Sequence, residues 1–406
     1  MYIKRHMESK VLELSEQFPI VMVYGQRQVG KSTMLHHIMD KNRKYVTLDN
    51  ISARRLAEED PELFFETYGS PLLIDEFQRV PSILLEMKRI VDEKKLAGEK
   101  CEGMFWLTGS QKFKMMNNVS ETLAGRVGIL ELAGLSDNEI NGKESRLFNP
   151  QVEKLKKIKY TKSNIHTIYE KIFRGSMPRI VTKEVGRDAY YEEYINTYLE
   201  RDIHELSNVG KLSEFRNFLV FMAARTGQEL RYSEISKSIG VSAVTAKEWV
   251  SILERSGVIY ILRPYFSNIT KRLVKTPKVY FMDTGLASYL CRWPNAEVLE
   301  SSNMDGAFFE TYVVTEIVKS YYNLGINPNL YYYRDVDGKE IDLMVVEADK
   351  IYPIEIKKAK NPENATKNFK MVEKLDKQTE PGLVVCACDE LVPYNRDAWY
   401  CPVELI

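Results

Sequence analysis

Apolar and polar positions alternate over the first 135 residues in the way expected for buried strands separated by helices. Apolar runs predict strands at Ile20–Tyr24, Tyr45–Leu48, Pro71–Ile74, Met104–Thr108 and Val127–Leu132. Helical spacing predicts a helix from Lys31, one near Arg54–Tyr68 and one near Ser82–Lys95. Strands that alternate with helices favour an α/β fold with a parallel sheet covered by helices.

The pattern changes after residue 140. A polar, lysine-rich segment at Asn141–Ser163 is typical of a linker or a lid. Residues 164–265 favour helices, among them Ala189–Leu206 and Lys211–Thr226. The last third predicts strands at Tyr331–Arg334, Ile341–Val346 and Tyr352–Lys357, with helices at Ala307–Tyr322 and Ala365–Leu375. We therefore expect four parts, at residues 1–140, 141–210, 211–275 and 276–406.

Composition and charge give few further constraints. The 406 residues are 44% hydrophobic and 28% charged, which is ordinary for a soluble globular protein. Acidic and basic residues number 57 each, so net charge indicates neither nucleic acid nor an anionic membrane. The sequence shows no secretory signal and no apolar stretch of membrane-spanning length. Its five cysteines lack paired C-x-x-C spacing, so we expect reduced thiols in a cytoplasmic protein without a membrane partner.

A phosphate-binding loop follows the first predicted strand. Residues 25–32 fit G-x-x-x-x-G-K-[ST] without a mismatch, and a helix follows. The glycines let backbone N–H groups and the helix N-terminus point at phosphate oxygens. Lys31 is expected to reach the β- and γ-phosphates, and Ser32 to ligate Mg²⁺. The alternative, a chance Gly-Lys turn, is weakened by the correct flanks. The predicted ATP-binding residues are Gly25, Gln26, Arg27, Gln28, Val29, Gly30, Lys31, Ser32 and Thr33.

Two carboxylates end the third predicted strand. Asp75 and Glu76 follow an apolar run, at the strand end where open α/β sheets bind ligands. Asp75 is expected to hold Mg²⁺, usually through water, and Glu76 to orient and polarise the attacking water. Acids at this position can also simply cap the next helix. Their pairing with the loop favours ATP hydrolysis.

Two further polar positions are candidates for catalysis. Ser110, next to Gln111, follows the fourth predicted strand and would touch the γ-phosphate or the water as a sensor. Arg126 precedes the fifth strand, where AAA-type ATPases often place a charge-stabilising arginine finger. The alternative for Arg126 is a surface ion pair. A finger that acts in trans requires the protein to form a homo-oligomer.

Several segments resemble those of prokaryotic AAA-like ATPases with an uncharacterised conserved C-terminal domain. They are Gly25–Thr33, Leu73–Glu76, Leu107–Ser110, Leu123–Arg126, Tyr198–Asp202 and Tyr280–Leu286. The nucleotide motifs are shared by many families, whereas the last two segments are more specific. The resemblance implies a AAA-like ATPase core, a winged-helix module and a C-terminal nuclease-like fold. The chain departs from the family at Gly175–Arg179, where similar proteins tend to have a second glycine and an acid after the proline.

Residues 230–262 carry the spacing of a helix-turn-helix followed by a wing strand. The turn contains Gly240, and Ser242 is a suitable N-cap for the second helix. The expected core face of this helix consists of Val244, Trp249, Ile252 and Leu253. The residues expected to meet double-stranded DNA are Ser242, Thr245, Lys247 and Glu248, with a nearby basic stretch of Lys271, Arg272, Lys275 and Lys278. Because the charge of the second helix is balanced, protein contact is the alternative.

Charged residues in the last third resemble the PD-(D/E)XK nuclease pattern. Asp342 lies in one predicted strand, and Glu355 and Lys357 share one face of the next. Glu310, on the preceding helix, matches the additional acid of that pattern. Asp342 and Glu355 are expected to bind Mg²⁺, and Lys357 to activate water or stabilise charge. The alternative is a charged hairpin face held by Glu–Lys pairs, and such a fold can persist after activity is lost.

Two functional hypotheses follow, and both require ATP and Mg²⁺. The first is an ATP-driven machine whose winged-helix and nuclease-like modules act on DNA. The second is a nucleotide-dependent switch that binds a protein partner and has a catalytically silent C-terminal domain. A kinase for a small substrate is a weaker third hypothesis, because the two acids and the long extensions suit hydrolysis coupled to motion.

Overall fold

The chain is divided by its internal contacts into two units. The computed structural model describes residues 1–109, 122–199, 212–265, 276–335, 337–375 and 377–406. The first unit comprises Met1–Arg146, Arg255–Gly257 and Tyr321–Ile326. The second comprises Leu147–Glu254, Val258–Ser320 and Asn327–Ile406. The finer division into four parts stays a prediction.

The first unit is built on a parallel sheet, as predicted. Its strands are β1 (Ile20–Tyr24), β2 (Lys44–Thr47), β3 (Leu72–Asp75), β4 (Phe105–Gly109) and β5 (Val127–Glu131). They lie side by side in the order β2-β3-β4-β1-β5, and each neighbouring pair is parallel. The helices are α1 (Glu8–Gln17), α2 (Lys31–Ile38), α3 (Ile51–Glu59), α4 (Pro61–Tyr68), α5 (Ile83–Leu96) and α6 (Asp137–Ile140).

Burial explains these strands, and capping explains one departure from the prediction. Every residue of β1, β3 and β4 is buried, as expected for a sheet covered on both faces. The single helix predicted near Arg54–Tyr68 is instead the pair α3 and α4. Pro61 begins α4 because proline lacks the N–H that a continuous helix would need, and the Asp60 side chain accepts from Leu63 N as the N-cap.

The second unit begins with helices. They are α7 (Val152–Leu155), α8 (Ile165–Arg174), α9 (Pro178–Val181), α10 (Arg187–Tyr194), α11 (Leu212–Ala223), α12 (Tyr232–Ile239), α13 (Ala243–Arg255), α14 (Thr284–Leu290), α15 (Ala296–Glu300) and α16 (Asp305–Tyr322). The predicted helix Ala189–Leu206 is α10 followed by a π-helical turn at Ile195–Leu199, and its remainder lies outside the described residues. Among the helices of the described ranges, none has the length and apolarity needed to span a membrane.

Two helices, α12 and α13, adjoin a small antiparallel sheet made of β6 (Gln228–Glu229), β8 (Lys278–Phe281) and β7 (Ile259–Leu262). Ser242 caps α13 as predicted, because its Oγ accepts from Thr245 N at 3.0 Å. The core prediction for α13 is wrong at Val244, which is 68% exposed. The buried stripe of α13 is Ala246, Trp249, Val250 and Leu253, whose helical spacing leaves Val244 on the outer face.

A larger mixed sheet occupies the C-terminal part of the second unit. Its strands within the described ranges are β9 (Leu330–Arg334), β10 (Glu340–Glu347), β11 (Lys350–Lys357), β12 (Gln378–Thr379), β13 (Gly382–Cys386), β14 (Val392–Asn395) and β15 (Ala398–Pro402). The predicted α-helix Ala365–Leu375 is instead a 3₁₀ helix at Phe369–Lys374. Phe369, Val372 and Leu375 recur every three residues, which matches the three-residue turn of a 3₁₀ helix.

Candidate functional site

The predicted phosphate-binding loop lies between β1 and α2. Gly30 has a left-handed backbone with φ of 93° and stands at the N-cap of α2. Gly25 has a φ of 149°, and a Cβ atom there would lie 2.0 Å from the carbonyl oxygen of Leu132. Glycine is therefore required at both ends of the loop. Gln28 adopts a left-handed φ of 62° as a non-glycine residue, so the loop is held in an unusual conformation.

Lys31 is buried and points back into the loop. Its Nζ donates to the carbonyl oxygens of Gly25 at 3.0 Å and Gln26 at 2.9 Å. Gln26 is 3% exposed, and within the described part of the chain its Nε2 has no hydrogen-bond partner. Buried donors are normally paired, so an unpaired donor in this loop is consistent with a ligand that accepts hydrogen bonds.

Asp75 forms the centre of a hydrogen-bond network at the carboxyl end of β3. Ser32 Oγ donates to Asp75 Oδ1 at 2.7 Å, and Thr108 Oγ1 contacts the same oxygen. Tyr45 OH donates to Asp75 Oδ2 at 3.1 Å. Burial and the Asp75 charge together raise the pKa of Tyr45 to about 12. The structure thus brings together Ser32 and Asp75, the two predicted Mg²⁺ ligands, and adds Thr108 and Tyr45, which the sequence did not predict.

Glu76 follows Asp75 directly and has a strained backbone. Its φ of 56° and ψ of 41° are left-handed, a conformation that non-glycine residues rarely adopt and that often occurs at functional sites. Gln78 Nε2 donates to Glu76 Oε2, and Glu76 N donates to Thr108 Oγ1 at 3.4 Å. Glu76 is therefore oriented by the residues around it. Ser110, the predicted sensor, lies outside the described residues.

Arg5 is a buried residue of this site that the sequence analysis missed. Its guanidinium donates to the carbonyl oxygens of Val29 at 2.7 Å and Ala133 at 2.8 Å, and to Glu139 Oε1 at 3.0 Å. Arg5 is 3% exposed and Glu139 2%. Burial raises the pKa of Glu139, but Arg5 and the N–H groups of Ser136 and His6 lower that pKa more, so it lies below its usual value. Arg5 thereby ties the loop to the chain after β5.

Arg126 and the loop lie at opposite ends of the strands of the sheet. Ile20 of β1 pairs with Val127 of β5, so Arg126 stands at the beginning of the strands, whereas the loop follows their end. Its Nε and Nη2 donate to the two carboxylate oxygens of Asp92 at 2.7 and 2.9 Å. This is the ion pair that was the alternative to an arginine finger. Strands of five residues separate Arg126 from the loop by roughly 15 Å.

Comparison with known proteins divides the chain into three matched segments. Residues 17–141 match the family model of an AAA domain. These residues, which carry β1–β5 and the phosphate-binding loop, form a AAA-like, nucleotide-binding ATPase domain. Residues 165–297 and 305–406 match two separate families, each described as a domain of unknown function.

Relatives match over most of the chain. An uncharacterised protein of Mycobacterium tuberculosis and one of Mycobacterium bovis are each 29% identical over 365 residues. The matches cover 88% of this chain and 75% of each relative.

Solved structures that are similar to this chain include a Walker-type ATPase of Pyrococcus abyssi, with 16% identity and a TM-score of 0.39 over 71% of this chain and 96% of that one. DnaA of Aquifex aeolicus bound to AMPPCP has 15% identity and a TM-score of 0.29 over 61% of this chain and 85% of its own. RuvB of Thermotoga maritima has 19% identity and a TM-score of 0.30 over 62% of this chain and 86% of its own. All three TM-scores lie below 0.5.

The second unit contains the charged residues predicted from the nuclease pattern. Lys357 Nζ lies 2.7 Å from Glu355 Oε1 and 3.3 Å from Asp342 Oδ2, and Asp342 Oδ2 also accepts from Ile356 N. Glu310 Oε1 accepts instead from Lys278 at 3.0 Å and from Tyr280 at 2.6 Å. Burial and the neighbouring Asp342 raise the pKa of Glu355 to about 7. No three His, Cys, Asp or Glu residues within the described ranges are arranged to hold a metal ion.

Lys278 corrects one prediction. It was expected in an exposed basic stretch, but it lies in β8 and is 4% exposed. The other members of that stretch, Lys271, Arg272 and Lys275, lie outside the described residues. The buried, paired Lys278 is not available to contact DNA.

Asp283, in the family-like segment Tyr280–Leu286, has a structural role. It is 1% exposed and accepts hydrogen bonds from Ser176 N, Ser176 Oγ, Tyr191 OH and Leu286 N at 2.6–2.8 Å. The last of these bonds caps α14. Asp283 therefore fixes three parts of the second unit, including Ser176 in the turn where the chain departs from the proteins that it resembles.

Proposed function

We propose that the first unit hydrolyses ATP and requires Mg²⁺. The observation that carries the proposal is the contact of Ser32 with Asp75, next to the strained and oriented Glu76. The loop residues Gly25–Thr33 surround the phosphates, and Lys31 leaves the loop carbonyls to neutralise them. Glu76 accepts a hydrogen bond from the attacking water and orients it, while Gln78 positions the Glu76 carboxylate.

The donors around Asp75 fit Mg²⁺. A hydroxyl and a carboxylate lie 2.7 Å apart at the end of the loop, and oxygen ligands of this kind, completed by water and phosphate, are those that Mg²⁺ prefers. Ser32 and Asp75 would hold the ion. When bound, Mg²⁺ neutralises charge on the phosphate oxygens. Thr108 and Tyr45 keep the Asp75 carboxylate in place through their hydrogen bonds.

The test separates ATP binding from hydrolysis. Lys31→Ala is expected to lose both, because it removes the cation that meets the phosphates. Glu76→Gln is expected to bind ATP with unchanged affinity and to lose at least a hundredfold in turnover, as expected for loss of a general base. Glu66→Gln, an exposed acid on α4, is the matched control. Unchanged turnover in Glu76→Gln would refute the role of Glu76.

Arg126 is proposed to act on the nucleotide of a neighbouring copy, since it lies too far from its own loop. Its release from Asp92 would be part of assembly. ATP turnover per subunit is then expected to rise with protein concentration in wild type, and Arg126→Ala is expected to remove that rise. Arg89→Ala, an exposed arginine on α5 that pairs with Glu86, is the control. A turnover rate in Arg126→Ala equal to wild type at every concentration would leave Arg126 as a surface ion pair.

We propose further that α12, α13 and the β7–β8 hairpin form a winged-helix module that contacts double-stranded DNA. The supporting observation is that Lys247 and Glu248 on α13, and the N-cap Ser242 just before it, are exposed. Lys247 is matched by Glu248, so the second candidate is contact with a protein partner. Duplex affinity that falls as salt rises, together with faster ATP turnover on DNA, would support DNA contact. Absence of duplex binding at low salt would favour the protein partner.

A further inference from the structure

The acidic cluster of the second unit, Glu310, Glu340, Asp342 and Glu355, contains a buried lysine. Lys278 reaches it from β8, and its Nζ lies 3.0 Å from Glu310 Oε1 and 2.5 Å from Glu340 Oε1. Tyr280, two residues along the same strand face, donates to the same Glu310 oxygen at 2.6 Å. The carboxylate of Glu310 is thus directed toward β8.

The other two acids of the cluster are held by a second lysine. Lys357 contacts Asp342 and Glu355, and the backbone N–H of Ile356 donates to Asp342. Glu355 Oε2 is buried and has no hydrogen-bond partner among the described residues, so it is the oxygen at which a metal ion would gain most. The Oε1 atom of Glu310 is already bonded to Lys278 and Tyr280.

Lys278 supplies the cluster with the positive charge that a metal ion would otherwise supply. A buried carboxylate needs a counter-charge, and a divalent ion that joined Glu310 would have to approach an ammonium group already bonded to it. Lys278 cannot turn to solvent without breaking two ion pairs, and it lies 5.7 Å from the centre of the Tyr332 ring. Burial lowers the pKa of Lys278, but the surrounding Glu310, Tyr280, Asp342 and Glu340 outweigh burial and hold that pKa well above its usual value.

We propose that the ammonium group of Lys278 is the resident cation of the acidic cluster and takes the place of a divalent metal ion there. The second unit consequently has the residue types of a metal-dependent nuclease without its metal site. The proposal rests on contacts within the second unit and does not depend on ATP hydrolysis by the first.

The test measures Mn²⁺ binding to the full chain without nucleotide, by the paramagnetic resonance signal of free Mn²⁺. All variants carry Asp75→Asn, which removes the carboxylate of the proposed nucleotide-site ion. Asp342→Asn and Glu355→Gln are expected to leave Mn²⁺ binding unchanged while Lys278 is present. The chain that carries only Asp75→Asn is the parent. Lys278→Met is expected to gain one Mn²⁺ site, at least tenfold tighter than any site in the parent. Adding Asp342→Asn to Lys278→Met is expected to abolish that site. Lys339→Met, an exposed lysine beside Glu340, should gain none.

Two results would overturn the proposal. One is Mn²⁺ binding by the parent chain that disappears with Asp342→Asn or Glu355→Gln. The other is a folded Lys278→Met chain that gains no site. If Lys278→Met does not fold without metal, Mn²⁺ should restore its thermal unfolding transition, because a ligand that binds only the folded state stabilises it. The double variant Lys278→Met/Glu310→Gln removes both charges and should fold without Mn²⁺. If Lys278→Met stays unfolded even with Mn²⁺, that counts as the second result, because the cluster has then not accepted a divalent ion in place of Lys278.

Discussion

Replacing Arg5 with methionine tests whether a buried ion pair holds the phosphate-binding loop. The change removes the partner of Glu139, which is only 2% exposed, and the donors to the carbonyl oxygens of Val29 and Ala133. Leaving one member of a buried pair without its partner typically costs about 3–5 kcal/mol. Since domains are stable by about 5–15 kcal/mol, this loss would take a large share of the stability of the first unit.

Denaturant unfolding, followed by circular dichroism, measures the free energy of unfolding of Arg5→Met. The matched control is Lys10→Met, which breaks a solvent-exposed pair with Glu13 on α1 and should cost about 0–1 kcal/mol. The double variant Arg5→Met/Glu139→Gln removes both charges and should recover part of the lost stability, because no charge is left buried alone. ATP affinity should fall in Arg5→Met and stay at the wild-type value in Lys10→Met, since only Arg5 contacts the loop.

The pH dependence gives an independent check. The pKa of Glu139 is lower in the folded chain than its usual value of 4.5, so the folded state favours the charged form. The resulting stability is present above pH 4.5 and is lost as pH falls through the folded pKa. Arg5→Met removes the largest influence that lowers the Glu139 pKa and leaves burial, which raises it, so Glu139 should protonate at a higher pH in the variant than in wild type. The stability difference between wild type and Arg5→Met should therefore be largest near neutral pH and shrink as pH falls. A cost for Arg5→Met no larger than that of Lys10→Met, or one that does not change with pH, would refute the role of this pair.

Three other predictions follow from single residues. Gly25→Ala should abolish ATP binding while the chain stays folded, because the new Cβ would lie 2.0 Å from the carbonyl oxygen of Leu132. A titration with a fluorescent ATP analogue measures the binding, and retained binding would contradict the prediction. Asp283→Asn should destabilise the second unit by about 3 kcal/mol in thermal unfolding, because the amide nitrogen replaces one of the two carboxylate oxygens and cannot accept the two hydrogen bonds that this oxygen received, either from Ser176 or from Tyr191 and Leu286. A cost below about 0.5 kcal/mol would show that these bonds do not matter. Burial raises the pKa of Cys291 to about 12. At pH 8 its alkylation by iodoacetamide should therefore be at least a hundredfold slower in the native chain than in urea. Peptide mass spectrometry measures the two rates, and equal rates would refute this prediction.

Local sequence information was sufficient for the loop and the first sheet. The apolar run before Gly25, the loop motif and the helix from Lys31 are contiguous, and the order of strands and helices follows from period and length alone. Asp75 was found because a strand end is a local feature. The break between α3 and α4 was visible in Asp60-Pro61, since proline favours a helix start, but the helical spacing on both sides obscured it.

Long-range partners explain what the sequence did not reveal. Arg5 lies 134 residues from Glu139, and nothing near Arg5 in the sequence indicates burial. Lys278 follows Lys271, Arg272 and Lys275, so it was grouped with a basic stretch, whereas its partners Glu310 and Glu340 lie 32 and 62 residues later. Val244 is an apolar residue in the first turn of α13 and was therefore expected in the core, but the spacing of the buried stripe, which begins at Ala246, leaves Val244 exposed. Periodicity indicates which face of an element is apolar, but it does not show which charged residues meet.

The position of Arg126 at the beginning of β5 limits the symmetry of any assembly in which it contacts nucleotide. The loop and Arg126 lie at opposite ends of the strands of one sheet. Each copy would therefore offer its Arg126 from one side and its nucleotide site from the other. Contact of one side with the other is heterologous, and repeating it gives a closed ring or an open filament. A two-fold dimer joins identical patches, so its interface would have to include both Arg126 and the loop of each copy. If Arg126 works in trans, the smallest natural assembly is therefore a head-to-tail one, with a nucleotide at each junction.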